Sequence, residues 1–309
     1  MSTRTLRASL TALLAVAALT LAACGNSNSA LKSGGSGGGG PLIVGGANFS
    51  ESNILAEIYA GALNGAGIDA TTKPNIGSRE TYLPALKDGS IDIFPEYTGV
   101  LRDYYAAKSG TTVSATDPAG VYKELQQVLP SYVRALQYSA AEDKDSVTVS
   151  QATANKYSLK SIGDLAPVAG KLTLGGPPEW KTRETGLPGL KKVYGVTFGK
   201  FTVTDAGGPL TLNALLDGRI DAGNLFTTNP QIPAKHLVAL EDPKHLFAAQ
   251  NVVPLVRNDA YSSKLQETLD KVSKALTTED LVNLVKQVDV DKKDYKDVAD
   301  SWLSSKGLS

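Results

Sequence analysis

The chain has 309 residues, in which 31 Lys and Arg balance 31 Asp and Glu, with two His and one Cys. A net charge of zero gives no sign of the basic surface that nucleic-acid binding requires. One cysteine excludes an internal disulfide framework, and the sequence has no Cys and His cluster with zinc-ligand spacing. The length favours two domains over a single core.

The first 23 residues are typical of a secretion signal. Arg4 and Arg7 precede an apolar run, residues 8–21, that is too short to span a membrane as a helix. Small residues then lead to Cys24, as in a bacterial lipoprotein signal. We therefore predict a signal peptide over 1–23 and a lipid anchor at Cys24 on the extracytoplasmic face of the cell membrane. A plain secretion signal is the alternative.

A tether and an alternation of strands and helices follow. Residues 24–40 are rich in Gly and Ser, which predicts a flexible segment that buries little apolar surface. The apolar run LIVGG at 42–46 predicts a buried strand and a turn, and a helix with one apolar face follows from Ser50. A strand, a helix and a strand are then predicted at 69–73, 79–87 and 91–94. This alternation indicates parallel βαβ units and an α/β fold.

The folded part contains an internal repeat. Residues 85–98, ALKDGSIDIFPEYT, match residues 214–227, ALLDGRIDAGNLFT, at seven of fourteen positions. The motifs LIVGG at 42–46 and LTLGG at 172–176 are separated by almost the same number of residues as the two segments of the first match. Two such matches in the same order predict two similar βαβ lobes that face each other.

An aromatic residue follows the repeated strand in each lobe, Tyr97 in the first and Phe226 in the second. Ligands of open α/β sheets bind beyond the carboxyl ends of the strands, so both rings are expected to face one cleft. The alternative is that each ring packs within its own lobe. Asp92 and Asp221 also recur at equivalent positions, and we expect them to be turn or cap residues.

Several longer segments occur in an order that is typical of one family. They are IGSRETYLPALKDGSIDIFPEYTGVL (76–101), LTLGGPPEWKTRETGLPGLKKVYG (172–195), GRIDAGNLFTTN (218–229) and LEDPKHLF (240–247). In these segments the chain resembles the substrate-binding proteins of ABC transporters for glycine betaine, choline and carnitine, the OpuAC-like group.

The resemblance implies a two-lobed periplasmic-binding-protein type II fold with two crossover strands as the hinge. Lobe 1 would comprise 42–144 and 252–309, and lobe 2 would comprise 145–251. It also implies a small-molecule solute as ligand and an ABC permease with its ATPase as partners. We expect a membrane-anchored monomer that uses no cofactor or metal and binds no nucleic acid.

The resemblance also assigns roles to residues. A quaternary ammonium cannot donate a hydrogen bond, so the family surrounds it with aromatic faces and binds the ligand carboxylate with a cation. Tyr97 and Phe226 match two of the aromatic positions, and Arg183 matches the carboxylate-binding arginine. Ser146 and Gln250 stand where two more aromatics are expected. They weaken the betaine assignment and suit a ligand with hydroxyl or carbonyl groups.

Three further residues are candidate ligand contacts. Asn48 either contacts the ligand or caps the first helix. Trp180 either walls the cleft or packs beneath it, and Thr227 is a polar candidate beside the cleft. Arg79 and Glu80 are expected to form a structural ion pair.

The sequence therefore predicts an extracytoplasmic receptor that captures a small osmolyte-like solute between its lobes by domain closure. One alternative is the same receptor with a non-quaternary polar or phenolic ligand. Another is a sensor that presents its closed form to a membrane signalling partner. An enzyme is not expected, because the sequence has no G-x-S-x-G motif and no Ser, His and Asp order, and its one Cys is used for lipidation.

Overall fold

Two five-stranded sheets organise the protein. The structure is a computed structural model that describes residues 40–309. The predicted signal peptide, Cys24 and the tether up to residue 39 lie outside the described residues.

The first sheet has the strand order β2-β1-β3-β10-β4. β1 runs parallel to β2 and β3, whereas β10 runs antiparallel to β3 and β4. Its strands are β1 (Leu42–Gly45), β2 (Ala70–Lys73), β3 (Ile93–Tyr97), β4 (Val133–Ala135) and β10 (Val252–Arg257). The helices of this lobe are α1 (Ser50–Gly65), α2 (Arg79–Asp88), α3 (Thr98–Ser109), α4 (Pro118–Val128), α9 (Ser263–Ala275), α10 (Thr278–Asp289) and α11 (Tyr295–Lys306).

The second sheet repeats this plan with the order β7-β6-β8-β5-β9. β6 runs parallel to β7 and β8, and β5 runs antiparallel to β8 and β9. Its strands are β5 (Asp145–Ser150), β6 (Thr173–Gly176), β7 (Lys200–Val203), β8 (Ala222–Phe226) and β9 (Leu237–Ala239). The helices of this lobe are α5 (Gln151–Tyr157), α6 (Leu187–Tyr194), α7 (Pro209–Leu216) and α8 (Gln231–Ala234). The predicted α/β fold with two similar βαβ lobes is confirmed.

Two crossover segments connect the lobes, one before β5 and one before β10. Glu142 and Asn251 form an antiparallel bridge between these segments. The Val252 N–H donates to the Ala141 carbonyl at 3.0 Å, and the Asp143 N–H donates to the Gln250 carbonyl at 3.1 Å. The two predicted crossover strands therefore run side by side, which makes them a paired hinge beneath the cleft.

The strand β3 differs from its predicted position. The prediction ended this strand at Phe94, before a proline, but the strand continues through Pro95 to Tyr97. Pairing with β10 extends the strand, because Pro95 lies opposite Pro254 and Tyr97 lies opposite Val252. The extension matters for function, since it carries Glu96 and Tyr97 to the edge of the cleft.

Each lobe has its own apolar core, so each can keep its shape while the hinge moves. In lobe 1 the helices α1, α9, α10 and α11 bury an apolar cluster against one side of the sheet, and a second cluster fills the other side. Lobe 2 has a cluster around Trp180 and a smaller one under α7. None of the helices within 40–309 is both long enough and apolar enough to cross a membrane.

The repeated aspartates have equivalent roles in the two lobes. The Asp92 carboxylate accepts a hydrogen bond from the Ile43 N–H at 2.9 Å, and the Asp221 carboxylate accepts one from the Thr173 N–H at 2.8 Å. Each aspartate thus binds the start of the neighbouring parallel strand. A carboxylate fits this position because it satisfies an N–H that the sheet leaves unpaired.

We expect Asp221→Ala to lower the free energy of unfolding by about 1–3 kcal/mol, because the half-buried Thr173 N–H loses a charged acceptor. Urea unfolding followed by circular dichroism measures the change. Asp217→Ala is the matched control, since this nearby carboxylate is exposed and pairs with Arg219 on the surface. Equal effects of the two substitutions would contradict the assigned role.

Candidate functional site

A cavity of about 70 Å³ lies between the lobes, at the carboxyl ends of β1, β3, β6 and β8. Both lobes contribute to its walls, and six of the sequence-predicted ligand contacts line it: Asn48, Tyr97, Trp180, Arg183, Phe226 and Gln250. The cavity is small because the lobes already touch each other. Within residues 40–309, no group of three or more His, Cys, Asp or Glu is placed to hold a metal ion.

Three aromatic rings form one side of the cavity. Phe49 lies between Tyr97 and Phe226, with ring centroids 6.3 Å from Tyr97 and 5.0 Å from Phe226. Phe49 and Phe226 belong to different lobes, so their contact crosses the cleft. Gly207 allows this packing, because a side chain there would lie 2.6 Å from the Phe226 ring and its φ is +66°.

Phe49 was not among the sequence-predicted contacts. It occupies the N-cap position of α1, so Asn48 does not cap this helix as one interpretation proposed. The sequence signal that could have identified Phe49 is its position in the first strand-to-helix turn, directly after Asn48. Trp180 combines both of its predicted alternatives: it lines the cavity, and it is fully buried against Phe247 in lobe 2.

The predicted ion pair between Arg79 and Glu80 is wrong. Arg79 instead binds Glu96, with both nitrogen–oxygen distances at 2.8 Å, and both side chains are buried. The Tyr82 hydroxyl and the Tyr97 N–H also donate to this carboxylate, at 2.7 and 2.9 Å. Neighbouring residues on a helix point in different directions, and β3 places Glu96 beneath Arg79 while Glu80 faces lobe 2.

Arg183 binds Glu80 across the cleft. Its Nε and Nη2 donate to the two oxygens of Glu80, at 3.2 and 2.9 Å. Partial burial acts to raise the pKa of Glu80, but hydrogen bonds from Arg183 and Ser78 outweigh it and lower this pKa to about 2. Arg183 also lines a neighbouring pocket of about 340 Å³, where Glu80 lies. Arg183, the predicted carboxylate-binding residue, thus forms an ion pair between the lobes.

Two buried amides line the cavity with one free group each. Asn224 donates from Nδ2 to Asp145 at 2.7 Å, and Gln250 accepts from the Val100 N–H at 3.0 Å. These partners fix the orientation of both amides, since a carboxylate accepts and an N–H donates. The remaining atoms, Asn224 Oδ1 and Gln250 Nε2, have no hydrogen-bond partner among residues 40–309. They are the groups that a polar ligand can satisfy.

Ser146 and Thr227 do not line the cavity. The Ser146 hydroxyl donates to the Leu225 carbonyl at 2.8 Å and lies 2.7 Å from the Thr148 hydroxyl, inside the second sheet. The Thr227 hydroxyl donates to Asp143 at 3.1 Å and accepts from the Lys144 N–H at 2.9 Å. Both side chains are therefore used within the protein.

Two buried carboxyl groups meet where the lobes and the hinge join. Glu51 accepts from the Tyr97 hydroxyl at 2.6 Å in lobe 1 and from the Thr228 hydroxyl at 2.8 Å in lobe 2. Asp143 accepts from the Thr228 N–H at 3.0 Å. Burial raises the pKa of Glu51 to about 7, against the hydrogen bonds that lower it. Burial and the charge of Glu51 together raise the pKa of Asp143 well above its ordinary value.

These features define the class of the protein. Two similar α/β lobes, a paired two-strand hinge and a cavity with walls from both lobes are the architecture of a two-lobed solute-binding protein of the periplasmic type II class.

The family follows from a direct comparison. The chain belongs to the family described as the substrate binding domain of the ABC-type glycine betaine transport system, whose model matches residues 40–305. The resemblance seen in the sequence is therefore confirmed, and so is the prediction of a transport receptor that binds a small solute.

Relatives and solved structures agree with this placement. The chain is 24% identical to the glycine betaine-binding protein YehZ of Escherichia coli, over 86% of this chain and 91% of that protein. It is 27% identical to the carnitine transport binding protein OpuCC of Listeria monocytogenes, over 82% of this chain and 81% of that protein. A crystal structure of a glycine betaine/carnitine/choline ABC transporter protein has the same fold, with a TM-score of 0.67 and 24% identity over 86% and 99% of the chains.

The buried Glu51 leads to a prediction about pH and stability. In the unfolded chain this carboxyl ionises near its ordinary pKa of 4.5, whereas in the folded protein it keeps its proton up to about pH 7. The folded state binds more protons between these values, so the free energy of unfolding falls as the pH rises from about 4.5 to about 7. We expect Glu51→Gln to lessen this fall by up to about 3 kcal/mol.

Urea unfolding at several pH values between 5 and 8 provides the measurement. Glu267→Gln, at an exposed position on α9, is the control and should leave the pH dependence unchanged. If Glu51→Gln has the same pH profile as the unaltered protein, Glu51 does not hold a proton in the folded state.

Proposed function

We propose that this protein captures a quaternary ammonium solute between its lobes and presents it to an ABC permease and its ATPase. The observation that carries the proposal is the set of rings Phe49, Tyr97 and Phe226 in the same cavity as the carboxyl groups of Asp143 and Asp145. The names of YehZ and OpuCC, for glycine betaine and carnitine, support this ligand class.

The chemistry of the cavity suits a cation that cannot donate hydrogen bonds. Each aromatic face attracts a desolvated cation by about 0.5–2 kcal/mol. Phe49 adds a third ring to Tyr97 and Phe226, which the resemblance had matched to aromatic positions of the family. Burial raises the pKa values of Asp143 and Asp145, and a bound cation would favour their ionised forms. The rings and the carboxylates therefore act together on a positive ligand.

Contacts between the lobes support a mechanism of domain closure. Phe49 packs on Phe226, Glu80 binds Arg183, and Glu51 binds Thr228, each pair joining lobe 1 to lobe 2. A cavity this small requires the lobes to separate before a solute enters. A solute that touches both lobes then stabilises the closed form, which the permease would recognise.

The location of the receptor is part of the same proposal. The sequence of residues 1–24 supports export and a lipid anchor at Cys24, and the segment up to residue 40 would act as a tether. The receptor would thus stay at the extracytoplasmic surface as a monomer, close to the permease that it serves.

The aromatic walls are tested by substitution. We expect Phe49→Ala, Tyr97→Ala and Phe226→Ala each to raise the dissociation constant for choline, measured by calorimetry, by at least about tenfold, because each removes a cation-binding face. Tyr157→Ala, on the end of α5 outside the cavity, should leave it unchanged. Unchanged choline affinity in all three wall variants would exclude this set of rings as the ammonium site.

The anchor is tested separately. We expect the full chain, expressed in a bacterium fed labelled palmitate, to incorporate the label and to sediment with membranes. Cys24→Ser should abolish the label, because the serine hydroxyl does not replace the thiol that is lipidated. Labelling of the Cys24→Ser protein would refute the anchor without bearing on the ligand.

A further inference from the structure

We propose that the polar side of the cavity selects a solute bearing a hydroxyl group, and that Glu80 excludes solutes bearing a carboxylate. This inference rests on the proposed binding of a quaternary ammonium, and it names the chemistry of the other end of the ligand. Three observations carry it: the occupied arginines, the excess of carboxyl groups and the two buried amides.

The arginines of the cavity already bind carboxylates of the protein. Among the described residues that line the cavity, the cationic side chains are Arg79 and Arg183. Arg79 is held by Glu96 through two hydrogen bonds, and Arg183 is held by Glu80 through two. A ligand carboxylate that takes the same two donors of Arg183 must displace Glu80 and break an ion pair that joins the lobes, and one that binds the remaining donors lies beside the charge of Glu80.

Unfavourable charge surrounds a ligand carboxylate in this cavity. Asp143, Asp145 and Glu179 line it, and Glu96 and Glu80 pair with the two arginines. Burial raises the pKa values of Asp143 and Asp145, and a cation favours their ionised forms whereas a ligand carboxylate is repelled by each carboxyl group that is ionised. A ligand that is positive at one end and neutral at the other fits this distribution.

The two amides specify the neutral group. Asn224 Oδ1 is an acceptor and Gln250 Nε2 is a donor, both side chains are 1% exposed, and neither atom has a partner among residues 40–309. A hydroxyl both donates and accepts, so its chemistry suits either atom. A carboxylate only accepts, so it leaves Asn224 Oδ1 unpaired, and a buried unpaired acceptor disfavours binding. The chemistry of these two atoms therefore favours a quaternary ammonium alcohol.

Three small quaternary ammonium compounds separate these contributions in calorimetric titrations of the full-length protein in detergent. Choline has the hydroxyl, glycine betaine has a carboxylate and no donor, and tetramethylammonium has neither group. We expect choline to bind at least about tenfold more tightly than either of the others. Binding of glycine betaine at least as tight as that of choline would overturn the inference.

Two variants assign the selectivity to residues. Glu80→Gln removes the competing charge, so we expect the ratio of the glycine betaine to the choline dissociation constant to fall at least about fivefold. Comparing a ratio corrects for any change in lobe closure that affects both ligands. Glu184→Gln, an exposed carboxylate in the same loop as Arg183, is the matched control and should leave the ratio unchanged. An unchanged ratio in Glu80→Gln would show that Glu80 does not exclude carboxylates.

Asn224→Leu tests the amide. We expect this substitution to weaken choline binding until its affinity is close to that of tetramethylammonium, whereas the affinity for tetramethylammonium itself should not change. Thermal unfolding would verify that the variant is folded. Persistence of the choline preference in this variant would overturn the role of Asn224. If all three quaternary ammonium compounds bind equally, the inference fails and the quaternary ammonium function stands. If none binds, the proposed function fails and this inference fails with it.

Discussion

The buried ion pair between Arg79 and Glu96 determines the lobe 1 side of the cleft. The Glu96 carboxylate also accepts hydrogen bonds from the Tyr82 hydroxyl and the Tyr97 N–H. This one carboxylate therefore orients both the start of α2 and the end of β3. Burying two charges is costly unless their hydrogen bonds are complete, and loss of one partner of such a pair typically costs about 3–5 kcal/mol. Because Arg79 binds Glu96, the neighbouring Glu80 is free to reach across the cleft to Arg183.

The contacts between the lobes share one property. The ion pair of Glu80 with Arg183, the tilted ring contact of Phe49 with Phe226 and the hydrogen bond from Thr228 to Glu51 exist only when the lobes are together. Their energies therefore favour the closed arrangement of the lobes.

Local sequence patterns predicted much of the fold and part of the site. The repeat around 85–98 and 214–227 predicted two equivalent lobes, and the positions of Tyr97 and Phe226 after their strands predicted that both rings would reach the cleft. Phe49 was missed because a single phenylalanine in a turn looks the same whether it packs in a core or faces a ligand. The family resemblance matched Arg183 to a carboxylate-binding arginine, and its motif does not reveal that Glu80 is its partner.

The sequence by itself determined the α/β alternation, the two lobes and the family, because these depend on periodicity, spacing and order along the chain. The tertiary structure decided the pairing of charges and the choice of cavity-lining atoms. Arg183 and Glu80 are 103 residues apart, and Asn224 and Asp145 are 79 apart. Whether such side chains meet depends on how β5 pairs with β8 and how the lobes dock, which are long-range contacts that local patterns do not encode.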